Sequence, residues 1–167
     1  MKRIEAEKLA TADEQLKSGY DRRMKNEELT SEILTKLTAL AVAGSELEKV
    51  ALFASLWTNL RSFEKHLEKR IQLKDINDAE EYADFTFSLL SKAETAFLVD
   101  GEYIELVMDD GLWSIIINRD GRIKTSYARD DDAETFIDYY HRRGRKVYVT
   151  SISTEIRQII KELFGSR

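Results

Sequence analysis

Two short stretches carry residue types able to act on a phosphodiester. The first is Ser62-Phe63-Glu64-Lys65-His66-Leu67-Glu68-Lys69-Arg70. On a helix, Lys65 and Lys69 stand one turn apart on one face, as do His66 and Arg70, while Phe63, Leu67 and Ile71 point to the core. A neutral imidazole is a general base, neighbouring cations favour that neutral form, and the same cations stabilise an anionic phosphorane. The spacing equally builds a plain solvent face, with Lys65, Glu68 and Lys69 pairing along the helix. The second stretch is Asp120-Gly121-Arg122-Ile123-Lys124-Thr125-Ser126-Tyr127. Strand alternation predicts Ile123, Thr125 and Tyr127 on one face and Arg122, Lys124 and Ser126 on the other. Thr125 and Tyr127 offer hydroxyls to a phosphate or a ribose, and they are also ordinary strand formers. A basic cluster, His141-Arg142-Arg143-Gly144-Arg145-Lys146, falls at a predicted helix end. There it either complements the helix dipole or contacts phosphate.

Other chemistries lack their residues. There is no glycine-rich phosphate loop, no zinc-type ligand spacing and no Gly-x-Ser-x-Gly elbow. With 2 histidines and no cysteine, neither a transition-metal site nor any other cofactor is expected. Asp130-Asp131-Asp132 reads better as helix capping beside a turn than as a magnesium site. The absence of cysteine suits a reducing compartment, and a cytoplasmic location is expected. Residues 37–44, the longest nearly apolar run, are too few to span a bilayer, so no membrane partner is expected. Met1-Lys2-Arg3 is followed by Glu5 and Glu7 rather than an apolar core, unlike a signal peptide.

The elements that must position these residues are legible in the periodicity. Of 167 residues, 43% are apolar, enough for one domain with a real core. Residues 2–17 are polar with weak helical periodicity, and Gly19 ends that helix. Residues 1–44 are expected to be a helical N-terminal extension able to pair with a second copy, and 45–167 an α+β domain. From Glu27, apolar residues recur at helical spacing up to Gly44. Ser45 and Glu48 read as a capping box for a helix through Trp57 and Leu60, reaching toward Ile71. Asn77 or Asp78 caps the next helix. After Ser91 the period changes to 2, and four β-rich runs are separated by Asp100-Gly101, Asp110-Gly111 and Asp120-Gly121. A four-stranded antiparallel meander over 94–128 follows, then a helix, a fifth strand and a last helix opened by Ser151 or Ser153 over 131–165.

The two stretches, in this order, together with Ala79-Glu80-Glu81-Tyr82-Ala83, resemble the barnase–colicin–RelE type of ribonuclease toxin found in contact-dependent inhibition and phage proteins. In that family a helix carries H-F-x-K-H, a second opens with an E-E-Y-like triplet, and an antiparallel sheet ends in G-x-I-x-T-x-[FY]. The likeness covers residues 61–129. It implies metal-independent cleavage of RNA, often tRNA, by attack of the 2′-hydroxyl. It also implies that Lys65 and His66 are a catalytic pair and that Thr125 and Tyr127 hold the phosphate or the base. Lys69, Arg70, Lys124, Ser126, Arg142 and Arg143 are read as the substrate-binding side chains around them. Ser62 stands where the family motif has its first histidine. Either Lys69, Arg70 or His141 replaces it, or the chain is a non-catalytic relative.

Charge bears on the choice. The net charge is −5, with 11 acidic and 1 basic residue in 75–110, and 5 basic against 2 acidic in 58–74. Nucleic-acid binders usually carry a basic surplus. A non-enzymatic acidic binding protein, such as a phage-encoded inhibitor or an immunity-type partner, is therefore the rival expectation, with a protein as its ligand.

Overall fold

The computed structural model describes residues 25–129 and 133–166; the helix expected over 2–17, its stop at Gly19 and the three capping aspartates lie outside the described residues. The fold is α+β. Helix α1 runs through residues 25–43, followed by α2 (Lys49–Ser55), α3 (Leu60–Gln72) and α4 (Ala79–Lys92). Strands β1 (Thr95–Val99), β2 (Tyr103–Val107), β3 (Trp113–Asn118) and β4 (Ile123–Ala128) form the meander; α5 (Ala133–Arg142), β5 (Val147–Ser151) and α6 (Thr154–Phe164) complete the chain. Sheet order is β4-β3-β2-β1-β5, with every neighbouring pair antiparallel.

The Asp-Gly pairs make the turns, as their chemistry requires. Asp100 (φ 52°) and Gly101 (φ 66°) both adopt the left-handed region that a primed hairpin turn needs. Gly121 (φ 86°) serves a second purpose. A Cβ there would lie 2.6 Å from the Leu37 amide nitrogen and 2.6 Å from Lys36 Cβ, so α1 rests its backbone on the β3–β4 turn. Helix α1 also sends Ile33, Leu34, Leu37 and Ala41 into the main core, and Thr150 of β5 donates to Thr30 at 3.0 Å. Over residues 25–43, the expected extension is thus part of the body.

Three local expectations are corrected. The helix expected from Leu47 toward Ile71 is two helices. Between them Trp57 forms a parallel bridge to Ile123, with Ile123 N–H donating to Leu56 O (2.8 Å) and Thr58 N–H to Ile123 O (3.1 Å). Those bonds take backbone groups that a continuous helix would have used. Asn59 then caps α3 by accepting from Ser62 N–H at 2.7 Å, and Arg122 donates to the carbonyls of Ser55 and Trp57 that the break exposes. Next, Glu48 is itself the cap of α2, accepting from Ala51 and Val50, so no capping box forms with Ser45. Last, β4 does not alternate evenly. Ile117 pairs with Ile123 but Ile116 pairs with Thr125, so Lys124 is the extra residue of a bulge. Ile123 therefore joins the helix-side core while Thr125 and Tyr127 face the other way.

The sheet's two faces are covered unequally. On one, Phe53 lies edge-to-face with Trp57, Phe63, Tyr82 and Phe87 at 5.2–5.8 Å, and this aromatic centre packs with Leu98, Ile104, Ile115 and Ile117. The other face is crossed by α5, which joins edge strand β4 to the opposite edge β5. Its Phe136 and Tyr140 pack on Val99 and Tyr103 of the inner strands. Among the described residues, no helix is long and apolar enough to cross a membrane.

The α1 contact makes one glycine far more demanding than another. Gly121→Ala, meeting both positive φ and backbone at 2.6 Å, should lose at least about 2 kcal/mol in urea unfolding. Gly101→Ala, with nothing within 4 Å of its Cβ, should lose only about 1 kcal/mol. Equal losses would mean that α1 does not bear on the turn.

Candidate functional site

Where α5 leaves the outer strands uncovered, a cleft of about 810 Å³ opens between α3, the β3–β4 surface and α5. Its first wall is His66, Lys69, Arg70 and Leu73, with Asp75 beyond the helix end. The floor is Ile116, Thr125, Tyr127 and Ala128, and the far wall is Arg129, Phe136, Tyr139 and Tyr140.

His66 is oriented by its own helix. Its Nδ1 lies 2.8 Å from the Ser62 carbonyl oxygen, and a carbonyl only accepts, so Nδ1 carries the proton and Nε2 is left as the acceptor. The ring also packs on Trp57 at 5.2 Å between centroids. Arg70 is 9% exposed and donates to Asp75 Oδ2 at 2.9 Å, while its Nε has no hydrogen-bond partner among the described residues. Lys69 is exposed and makes no ion pair among the described residues.

Behind the floor lies a carboxylate that sequence reading passed over. Glu105, in the central strand β2, is 0% exposed. Ser114 donates to it at 2.6 Å, Tyr140 at 2.8 Å, Arg129 at 3.4 Å, and Tyr127 through a short hydrogen bond. Tyr103 donates to Tyr140 at 3.2 Å and accepts from Arg145 at 3.2 Å. Burial pushes the Glu105 carboxyl above its ordinary range; the hydrogen bonds from Ser114, Tyr127 and Tyr140 and the Arg129 charge pull the other way. Burial, reinforced by the Glu105 charge, holds the Tyr127 and Tyr140 phenols well above theirs. Each tyrosine aims its proton at Glu105, so toward a ligand Tyr127 presents an oxygen acceptor. Sequence did hold a signal: one glutamate between Ile104 and Leu106, in a strand with no polar alternation, has to find donors.

The site residues expected from sequence separate. His66, Thr125 and Tyr127 converge on the cleft, joined by Lys69 and Arg70. Lys65 is exposed on α3 and does not line it. One residue of helix turns a side chain by about 100°, so Lys69, three positions on, shares the face of His66 where Lys65 does not. The same geometry leaves Ile71 40% exposed, and the buried face includes Phe63 and Arg70. Ser126 is fully buried on the helix side, accepting from Trp113 Nε1 at 2.8 Å and bonded to Thr86 at 2.8 Å, with Tyr82 donating to its carbonyl. Such a serine cannot touch substrate. Lys124 lies exposed on the bulge, 5.8 Å from the Tyr103 ring centre. Arg142 and His141 are exposed at the end of α5 outside the cleft lining, and Arg143 stacks on Tyr139 at 3.6 Å. Tyr139, Tyr140 and Arg129 were not anticipated.

Fold and site together define an α+β protein with a basic, aromatic cleft on the thinly covered face of an antiparallel sheet. The chain belongs to the family described as uncharacterised protein aq_aa01, whose model matches residues 48–166 and so spans every residue of the cleft. No curated protein and no solved structure matches it.

The buried carboxyl has a measurable consequence. Because its proton affinity is raised from the ordinary 4.5, the folded state binds that proton more tightly than the unfolded chain. The stability it contributes is complete below pH 4.5 and is lost as pH rises through the folded value. Glu105→Gln removes the ionisation and keeps a hydrogen-bonding side chain. Its urea-unfolding free energy should therefore fall less from pH 4.5 to pH 8 than that of the wild type; parallel profiles would contradict the assignment.

Proposed function

We propose that the protein is a small cytoplasmic endoribonuclease of toxin type that cleaves RNA in this cleft without a metal. The observation that carries the reading is the convergence of His66 with Thr125 and Tyr127, from two distant stretches of chain, on one cavity that also holds Lys69 and Arg70. In the proposed reaction, His66 Nε2 takes the proton of a ribose 2′-hydroxyl, while the Tyr127 oxygen, its own proton given to Glu105, accepts from a donor group of the adjacent base. The 2′-oxygen attacks the adjacent phosphorus and the bond to the 5′-oxygen breaks. The products are a 2′,3′-cyclic phosphate and a 5′-hydroxyl, with the leaving oxygen taking a proton from the Lys69 ammonium. Thr125 and Arg70 donate to the non-bridging oxygens as charge develops there. Lys69, sharing the His66 face, supplies the cation that the sequence likeness assigned to Lys65, and it answers the serine at position 62. The Ser62 carbonyl still serves the site by fixing the imidazole tautomer.

One observation favours the rival, a non-enzymatic binding protein: the Tyr127 hydroxyl and Arg129 are already engaged by Glu105. Cleavage decides between them. Incubated with total RNA, the wild type should produce fragments ending in cyclic phosphate, with or without EDTA, since the proposed charge stabilisation comes from side chains. His66→Ala should lower the rate by about 10²- to 10⁴-fold. Lys69→Ala should cost a comparable factor, and Lys65→Ala should leave the rate unchanged. Melting temperatures should stay close to wild type for Lys65 and Lys69, both exposed. Intact RNA with the wild type would end the enzyme reading in favour of the binding protein. Equal cleavage by His66→Ala would show that the activity lies elsewhere.

A further inference from the structure

We propose that α5 carries a base-stacking subsite, built on Tyr139 with Arg143 stacked against it, which takes an unpaired nucleobase of single-stranded RNA into the cleft. The identity of the ligand rests on the ribonuclease reading; the subsite itself rests on geometry.

Tyr139 is 41% exposed and lines the cleft. The Arg143 guanidinium lies 3.6 Å from its ring centre, covering one face. Tyr140 meets it edge-on at 5.5 Å and 90°, and Tyr140 is itself held by hydrogen bonds with Glu105 and Tyr103. The ring is therefore exposed but held in place, as a stacking platform must be if binding is not to cost the freedom of a loose side chain. Ring and guanidinium are both planar groups on which bases stack, with little regard to base identity.

Across the cleft, Lys69 brings positive charge for the phosphate of the same nucleotide, beside Arg70, which is paired with Asp75. A duplex cannot use this arrangement, because its base faces are already stacked within the helix. The subsite therefore selects single strands, loops and ends. A bare helix-stabilising contact between Tyr139 and Arg143, four positions apart, would give the ring the same neighbours but no ligand, and binding separates the two.

The probe is a short single-stranded RNA of mixed sequence with 2′-fluoro riboses, which lacks the attacking hydroxyl, compared with the same strand annealed to its complement. Binding is read by fluorescence anisotropy on the full chain at low salt. The wild type should bind the single strand more tightly than the duplex. Tyr139→Ala should weaken single-strand binding about 5- to 150-fold and leave duplex binding unchanged. Tyr139→Phe should retain wild-type affinity, which separates loss of the ring from loss of the hydroxyl. Unchanged single-strand affinity in Tyr139→Ala, equal weakening on duplex, or no binding of either probe by the wild type overturns the subsite. Tyr139-dependent binding of the fluoro strand with ordinary RNA left uncut supports the subsite and overturns the ribonuclease reading. Cleavage of ordinary RNA with the same KM in Tyr139→Ala as in wild type overturns the subsite and leaves the ribonuclease standing.

Discussion

A carboxylate with no solvent contact has to be answered by donors, and Glu105 takes its donors from three elements. Ser114 comes from β3, Tyr127 from β4, and Tyr140 from α5, with Arg129 following β4. Ser114, Tyr127 and Arg129 share Oε1, whereas Tyr140 answers Oε2, so removing Tyr140 would leave a buried oxygen without that donor, at about 1–3 kcal/mol. The carboxylate therefore ties the floor of the cleft to its far wall. A helix crossing a sheet on Phe136 and Tyr140 alone would have few apolar contacts to hold its position. The polar tie from Tyr140 to the central strand supplies that position, and with it the place of Tyr139, the residue before it. Such a network specifies one arrangement more than it adds stability, since ionising a buried carboxyl is itself costly.

The unequal covering of the sheet follows from topology. The meander delivers the chain to one edge at β4, and the last strand pairs at the other edge beside β1. The intervening connection must cross the sheet, and α1, α2, α4 and α6 already pack on one face. α5 is left to cross the opposite face over the inner strands, so the outer strands stay open. On the edge next to them, α3 is held close by the bridge from Trp57 to Ile123, which places the His66 turn above the β4 surface. The break between α2 and α3 is thus what brings a helical histidine to a strand threonine and tyrosine.

What sequence made legible was local. Asp-Gly turns announce themselves because only a few residues accept positive φ, and the change of period from 3.6 to 2 marked where helices give way to strands. The class α+β, the meander and the fifth strand followed from those signals. The features that failed to show were those decided by distant partners. Residues 56–59 read as helix because nothing nearby reports that Leu56 and Thr58 bond to Ile123. The bulge at Lys124 is invisible in a run of strand formers, yet it reverses the face of Ile123 relative to Thr125. Glu105 was absorbed into an acidic belt counted along the chain, although its apolar neighbours marked it as different. Arg70 was expected as a substrate-binding side chain, and the pairing with Asp75 that allows its burial depends on how the chain turns after α3.

The acidic balance of the chain looks different in space than along the sequence. Much of the belt sits on exposed ground away from the cleft: Glu80 and Asp84 of α4 pair with Lys49, and Glu94 pairs with Arg157. Glu105 and Asp75, the belt members at the cleft, are each faced by an arginine. Lys69 stands beside these neutralised pairs with its charge uncompensated by any ion pair among the described residues, and Arg143 stacks against Tyr139 of the far wall. Screening confines such charges to about 10 Å at ordinary ionic strength, so a ligand in the cleft responds to these groups and hardly to the net −5 of the chain. A net-negative protein can hold a polyanion there on a few well-placed contacts, and a site built that way gains more from stacking and shape than from charge. Selectivity for an unpaired strand is then the expected character of the cleft, because only an unpaired base can use its aromatic wall.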